Sequence, residues 1–107
     1  MKNSNSNQGE KIVVHVDADL EDLIPGFLEN RQKDIKSMLE TLKQGDYETI
    51  RILGHSMKGA GGGYGFDAIT EIGASLEQSA KDKNAEEIRK KIDELSTYLE
   101  HVEVRYE

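Results

Sequence analysis

Four stretches of this sequence repeat aliphatic residues at spacings of three, four or seven, and each is bounded by residues that start or stop helices. Each such stretch must bury one stripe against other helices, which leaves little from which to build a sandwich or barrel. The first runs from Pro25 or Gly26 to about Lys43, with Phe27, Leu28, Ile35, Met38, Leu39 and Leu42 on its apolar face. Gln44, Gly45 and Asp46 then form a tight link, Gly45 as C-cap and Asp46 as the next N-cap. The second begins near Tyr47 and carries Ile50, Leu53, Met57 and Ala60 before the glycines at 61–65 weaken it. Asp67 is expected to cap the third, whose face is Ile69, Ile72, Leu76 and Ala80 and which ends near Lys83. Asn84 caps the fourth, with Ile88, Ile92, Leu95, Leu99 and Val102, up to Tyr106.

Ahead of these, Asp17 or Asp19 can cap a short helix through Ile24, which Pro25 ends. Ile12–Val16 is strand-like, but no second strand candidate follows, so an extended segment lying on the helices is expected, with His15 structural or exposed. The expected fold is therefore all-α: an antiparallel up-and-down four-helix bundle with a short additional N-terminal helix. Residues 1–10 hold almost nothing to bury and are set apart as a polar lead to a single domain at 11–107.

Charge narrows the functional classes. Lys and Arg number 14 against 21 Asp and Glu, and the resulting net charge of −7 repels nucleic acid and anionic membranes. There is no cysteine, hence no thiolate nucleophile or sulfur-ligated zinc, and no run long enough for a signal sequence or a membrane span. A cytoplasmic protein is the expectation. His15, His55 and His101 lie on separate segments without metal-ligand spacing, and the glycines at 59–65 lack the pattern of a phosphate-binding loop. Neither a metal nor a cofactor is expected in this chain.

His55 stands apart from the core pattern. At 100° per residue, Ile50, Leu53, Met57 and Ala60 fall roughly 140° to 200° from it, so it points away from the buried seam. On its own face lie Arg51 and Ile52 one turn before, Lys58 and Gly59 one turn after, and Gly62 beyond. An imidazole with an ordinary pKa near 6.5 is substantially neutral at cytoplasmic pH, and its ring nitrogen can attack phosphorus. Lys58 at i+3 is placed to neutralise phosphoryl oxygens, Gly59 at i+4 leaves room for the group and a partner surface, and Ile52 offers an apolar contact. Gly54, Gly59, Gly61, Gly62 and Gly63 crowd this helix although each disfavours it by roughly 0.5 to 1 kcal/mol relative to Ala, which points to a requirement for close approach.

The run His-Ser-Met-Lys-Gly at 55–59, followed by Tyr-Gly-Phe at 64–66, resembles the signature of histidine-containing phosphotransfer (HPt) domains, over roughly residues 17–106. It is similar both to phosphorelay modules and to the phosphotransfer domain of chemotaxis histidine kinases. The resemblance implies that His55 accepts a phosphoryl group on Nε2 from a receiver aspartate or a sensor or hybrid histidine kinase and passes it to a response-regulator receiver aspartate. It further implies that Lys58 and Gly59 are the family's lysine and glycine, that the divalent cation comes with the receiver, and that the protein is a monomer without kinase activity of its own. In chemotaxis-type members a glutamate on the next helix binds the histidine's other nitrogen, and ungapped counting puts Glu77 there. A carboxylate at Nδ1–H would hold the tautomer that frees Nε2, but helix rotation leaves Gln78 as an equal neighbour, while Gly73 one turn earlier offers space for a close helix contact. The glycines at 61–63 replace the frequent Ser or Ala, so an early bend is expected there. The rival reading is a helical adaptor that binds receivers or kinases without carrying phosphate.

Overall fold

The computed structural model describes residues 11–107; the polar lead at 1–10 lies outside the described residues. β1 (Ile12–Val16) leads through a 3-10 turn at Ala18–Leu20 into α1 (Ile24–Lys43), α2 (Tyr47–Gly63), α3 (Asp67–Lys81), α4 (Ala85–His101) and β2 (Val102–Tyr106). Each helix packs on its sequence neighbour and α1 also meets α4, which closes the ring of a four-helix bundle. Met38, Ile50, Met57, Ile69, Leu76, Ile88 and Leu95 fill its centre, and Phe66 stacks on Phe27 with ring centroids 5.3 Å apart. Leu39, assigned above to the core face of α1, is exposed: it lies about 100° round the helix from Met38, which occupies the seam.

The three interhelical links share one geometry. The middle residue takes a positive φ in each, Gly45 at 72°, Gly65 at 90° and Lys83 at 54°. The next N–H reaches back five residues: Asp46 donates to the Thr41 carbonyl at 2.8 Å, Phe66 to Gly61 at 2.8 Å and Asn84 to Ser79 at 2.9 Å. Asp46 and Asn84 cap their helices as expected, accepting from the backbone N–H groups of Thr49 and Glu87. Asp67 does not: Phe66 holds the N-cap position because its ring is drawn into the core, and Asp67 is instead the first helical residue, where its charge meets the positive helix end. The glycines at 61–63 neither fray nor end α2 early, since the helix continues through Gly63.

Two expectations need correction at the chain's ends. The additional N-terminal helix is absent; Asp17 caps only the three-residue turn, accepting from Asp19 N–H at 2.9 Å, and α1 starts at Ile24. The fold is also not all-α. β1 has a partner after all, because α4 stops at His101 and Val102–Tyr106 pairs with it in parallel, from Ile12↔Val102 to Val16↔Tyr106. Val102 and Val104 turn onto the bundle together with Val14 and Val16 of β1, whereas Glu103 takes Lys11 at 3.2 Å and His15 meets Glu107 at 2.6 Å on the outside. Pairing with β1 thus overrides the helical continuation read from Leu99 and Val102.

Candidate functional site

Helices α2 and α3 form the most intimate pair in the bundle, and glycine is the reason. A β-carbon on Gly54 would lie 2.7 Å from the Glu77 nitrogen and 2.8 Å from the Gly73 carbonyl oxygen. On Gly73 it would lie 2.6 Å from the Lys58 nitrogen, and on Gly61 2.7 Å from that of Thr70. Thr70 Oγ1 ties the crossing by donating to the Lys58 carbonyl at 3.0 Å. The close approach that Gly54 and Gly61 serve is therefore between helices inside the protein, and Gly73 makes the close helix contact expected of it. Gly59 and Gly63 do face open space, and Gly62 is only in ordinary contact with Thr70 Oγ1 at 3.5 Å.

This close crossing brings Glu77 beneath His55. His55 Nδ1 lies 3.0 Å from Glu77 Oε2, and Lys58 Nζ lies 3.1 Å from Oε1. The Glu77 side chain is only 11% exposed, whereas His55 is 64% exposed and Lys58 42%. Hydrogen bonding from Lys58, joined by that from His55, holds the Glu77 carboxyl below the usual glutamate range against the opposing pull of desolvation. An ionised carboxylate only accepts, so Nδ1 carries a proton and donates it, and in the neutral ring this tautomer puts the lone pair on Nε2. The ring is thus oriented at one nitrogen and available at the other.

The structure gathers His55, Lys58 and Glu77 and leaves the remaining candidates apart. Gln78, the alternative to Glu77, is exposed and donates to Asp82 at 3.3 Å. Arg51 is turned to Glu48, with nitrogens at 3.0 and 2.6 Å from its two oxygens, while Ile52 is 52% exposed on the outer face of α2. One neighbour went unread: Lys81, i+4 from Glu77 on α3, places Nζ 3.9 Å from Glu77 Oε2. Its signal was the Glu-to-Lys spacing of four, common enough on helices to carry no weight alone. Among the described residues no group of His, Cys, Asp and Glu is arranged to hold a metal ion, and no helix is long and apolar enough to cross a membrane.

The family model described as Hpt domain matches residues 22–104, which takes in all four helices and most of β2. This chain belongs to the Hpt domain family. Comparison with curated proteins and with solved structures returns no match. Hpt domains are phosphocarrier modules of phosphorelay signalling that interact with kinases and response regulators, and they are not kinases. In this Hpt domain the Tyr-Gly-Phe part of the motif is architectural: Gly65 makes the left-handed link and Phe66 is fully buried.

Proposed function

We propose that this Hpt domain is a cytoplasmic, monomeric phosphorelay intermediate in which His55 carries the phosphoryl group. The Nε2 lone pair attacks the phosphorus of a receiver aspartyl phosphate; the N–P bond forms as the P–O bond to the aspartate breaks and the carboxylate departs. A sensor or hybrid histidine kinase is the other donor class. Nδ1 keeps its proton, and Glu77 balances the positive ring that results. On onward transfer a response-regulator aspartate attacks the same phosphorus, the N–P bond breaks, and the ring returns to its neutral Nδ1–H form. The receiver brings the divalent cation, and this chain needs no cofactor.

The observation that carries the reading is the 3.0 Å contact from Nδ1 to a nearly buried carboxylate, on a ring otherwise open to solvent. Its test is transfer of labelled phosphate from a panel of phosphorylated receiver domains. Acid-labile, alkali-stable label supports the carrier, whereas receivers that bind without any label passing establish the adaptor instead.

Lys58 is proposed to leave Glu77 for the phosphoryl oxygens, so Lys58→Ala is expected to slow transfer or shorten the phosphoform's lifetime about tenfold, as befits loss of one charge-assisted hydrogen bond. The half-exposed position predicts an unchanged fold by circular dichroism, and unaltered kinetics in both directions would remove Lys58 from the mechanism. Arg51, Ile52, Gly59 and Gly62 are proposed to form the docking rim. Gly59→Leu fills open space on the helix, so it is expected to keep or raise stability while weakening receiver transfer about tenfold. Normal transfer by that variant, measured against the same receiver, would show that no clearance is needed there.

A further inference from the structure

Glu77 has three basic neighbours, and the transfer proposed for this site employs two of them. Lys58 sits on Oε1 and His55 on Oε2, with Lys81 reaching the same Oε2 from the last turn of α3. In the form that attacks phosphorus the balance is simple, since the lysines are cationic, the carboxylate is anionic and the reacting ring carries its one proton on Nδ1. Phosphorylation adds about two negative charges at Nε2 and one positive charge on the ring. Lys58 Nζ is then claimed from two sides, by Glu77 at 3.1 Å and by the phosphoryl oxygens beyond His55. If it turns outward, Oε1 of an 11% exposed carboxylate loses its ammonium partner as a like-charged group arrives beside it, and the positive charge gained by the ring acts at Oε2 alone.

Among the described residues, one further cation is placed to restore the balance. Arg51 acts on Glu77 at long range and is held by both oxygens of Glu48, so it cannot move in without abandoning that pair. Lys81 is 51% exposed, pairs with no other carboxylate among the described residues, and stands at 3.9 Å, about 1 Å outside direct hydrogen-bond distance. Being on the same helix as Glu77, it approaches by rotamer change alone.

We propose that Lys81 is a positioning residue that replaces Lys58 as the counter-ion of Glu77 when His55 is phosphorylated, which lets Lys58 serve the phosphoryl group without releasing the ring. The proposal rests on His55 being the carrier. It makes the site a relay of two lysines over one carboxylate, each used in one state.

The test loads the full chain with phosphoramidate, whose P–N bond breaks with release of ammonia as the Nε2–P bond forms, and compares wild type, Lys81→Gln, Lys81→Arg, Glu77→Gln and the Glu77→Gln/Lys81→Gln double variant. Phosphohistidine lifetime is followed by phosphorus NMR, and the Glu77 carboxyl titration by carbon NMR before and after loading. Lys81→Gln is expected to raise the carboxyl midpoint by a few tenths of a unit before loading and by about one unit after it, and to shorten the lifetime about threefold to tenfold. Lys81→Arg should restore both, and in the Glu77→Gln background Lys81→Gln should change the lifetime no further. An unchanged lifetime in Lys81→Gln, or the same shortening without Glu77, overturns the role of Lys81. Failure of the wild type to load at all is a different result and overturns the carrier reading on which the role depends.

Discussion

Replacing His55 by Gln is expected to abolish phosphoryl label on the protein while leaving the bundle folded and receiver binding near its original strength. The expectation is total loss because no other described side chain near the site offers an uncharged nitrogen nucleophile: Lys58 and Lys81 are ammonium ions on a carboxylate, and Arg51 is a guanidinium, while the hydroxyls of Ser56 and Thr70 have no base beside them to activate them. Gln approximates the ring's reach and can still donate to Glu77 Oε2, so the buried carboxylate keeps a partner and the fold has no reason to respond. The side chain is largely exposed and outside the core, so thermal unfolding should shift by no more than a surface substitution does, within about 0.5 kcal/mol. Label persisting on His55→Gln with the same acid lability would place the phosphoryl group on another residue. Label lost together with the cooperative unfolding transition would mean only that the variant had failed to fold, which circular dichroism detects.

Gly73→Val should produce the largest structural effect of any single exchange near the site. Its β-carbon would lie 2.6 Å from the Lys58 nitrogen, 2.8 Å from the Gly54 carbonyl oxygen and 3.1 Å from the Lys58 Cα, and all three are backbone atoms that cannot turn aside. The α2–α3 crossing must therefore widen, at an expected loss of about 3 kcal/mol of stability, well beyond what helix propensity returns. Because Gly73 is one turn from Glu77, widening also draws the carboxylate away from Nδ1, and the tautomer reported by nitrogen NMR of His55 should become mixed. The control is Gly59→Ala on the open face of α2, where nothing lies within 4 Å of the new methyl group and a gain of about 0.5 to 1 kcal/mol is expected. Urea unfolding of the pair gives opposite signs if interhelical contact, and not glycine's flexibility, is what Gly73 provides; equal signs would refute this.

Local chemistry was legible in the sequence and long-range pairing was not. The helix starts at Asp46 and Asn84, the stop at Gly45 and the outward aim of His55 follow from caps and a 100° rotation, which involve residues a few positions apart. Choosing Glu77 over Gln78 needed the rotation of α3 relative to α2, set by where Gly54 and Gly73 meet. The same contact explains why glycines that look like clearance for a partner are partly clearance for a neighbouring helix. Lys81 was hidden for a simpler reason, since a lysine four residues after a glutamate usually means only a solvated helix face. The strand at Val102–Tyr106 was the largest miss, because its alternation of apolar and polar residues gains meaning only beside β1, at the far end of the chain.

That parallel clasp divides the molecule by contact order. Ile12 and Val102 are 90 positions apart, so closing the sheet carries one of the largest loop entropies the chain has to overcome. His55 and Glu77 are 22 positions apart and joined through a single three-residue link, so their helices can pair early and cheaply. The reactive centre thus resides in the most local part of the topology, and the sheet in the least local. Opening of the ends, the first event expected when such a domain breathes, can come and go without disturbing the histidine or the carboxylate that orients it.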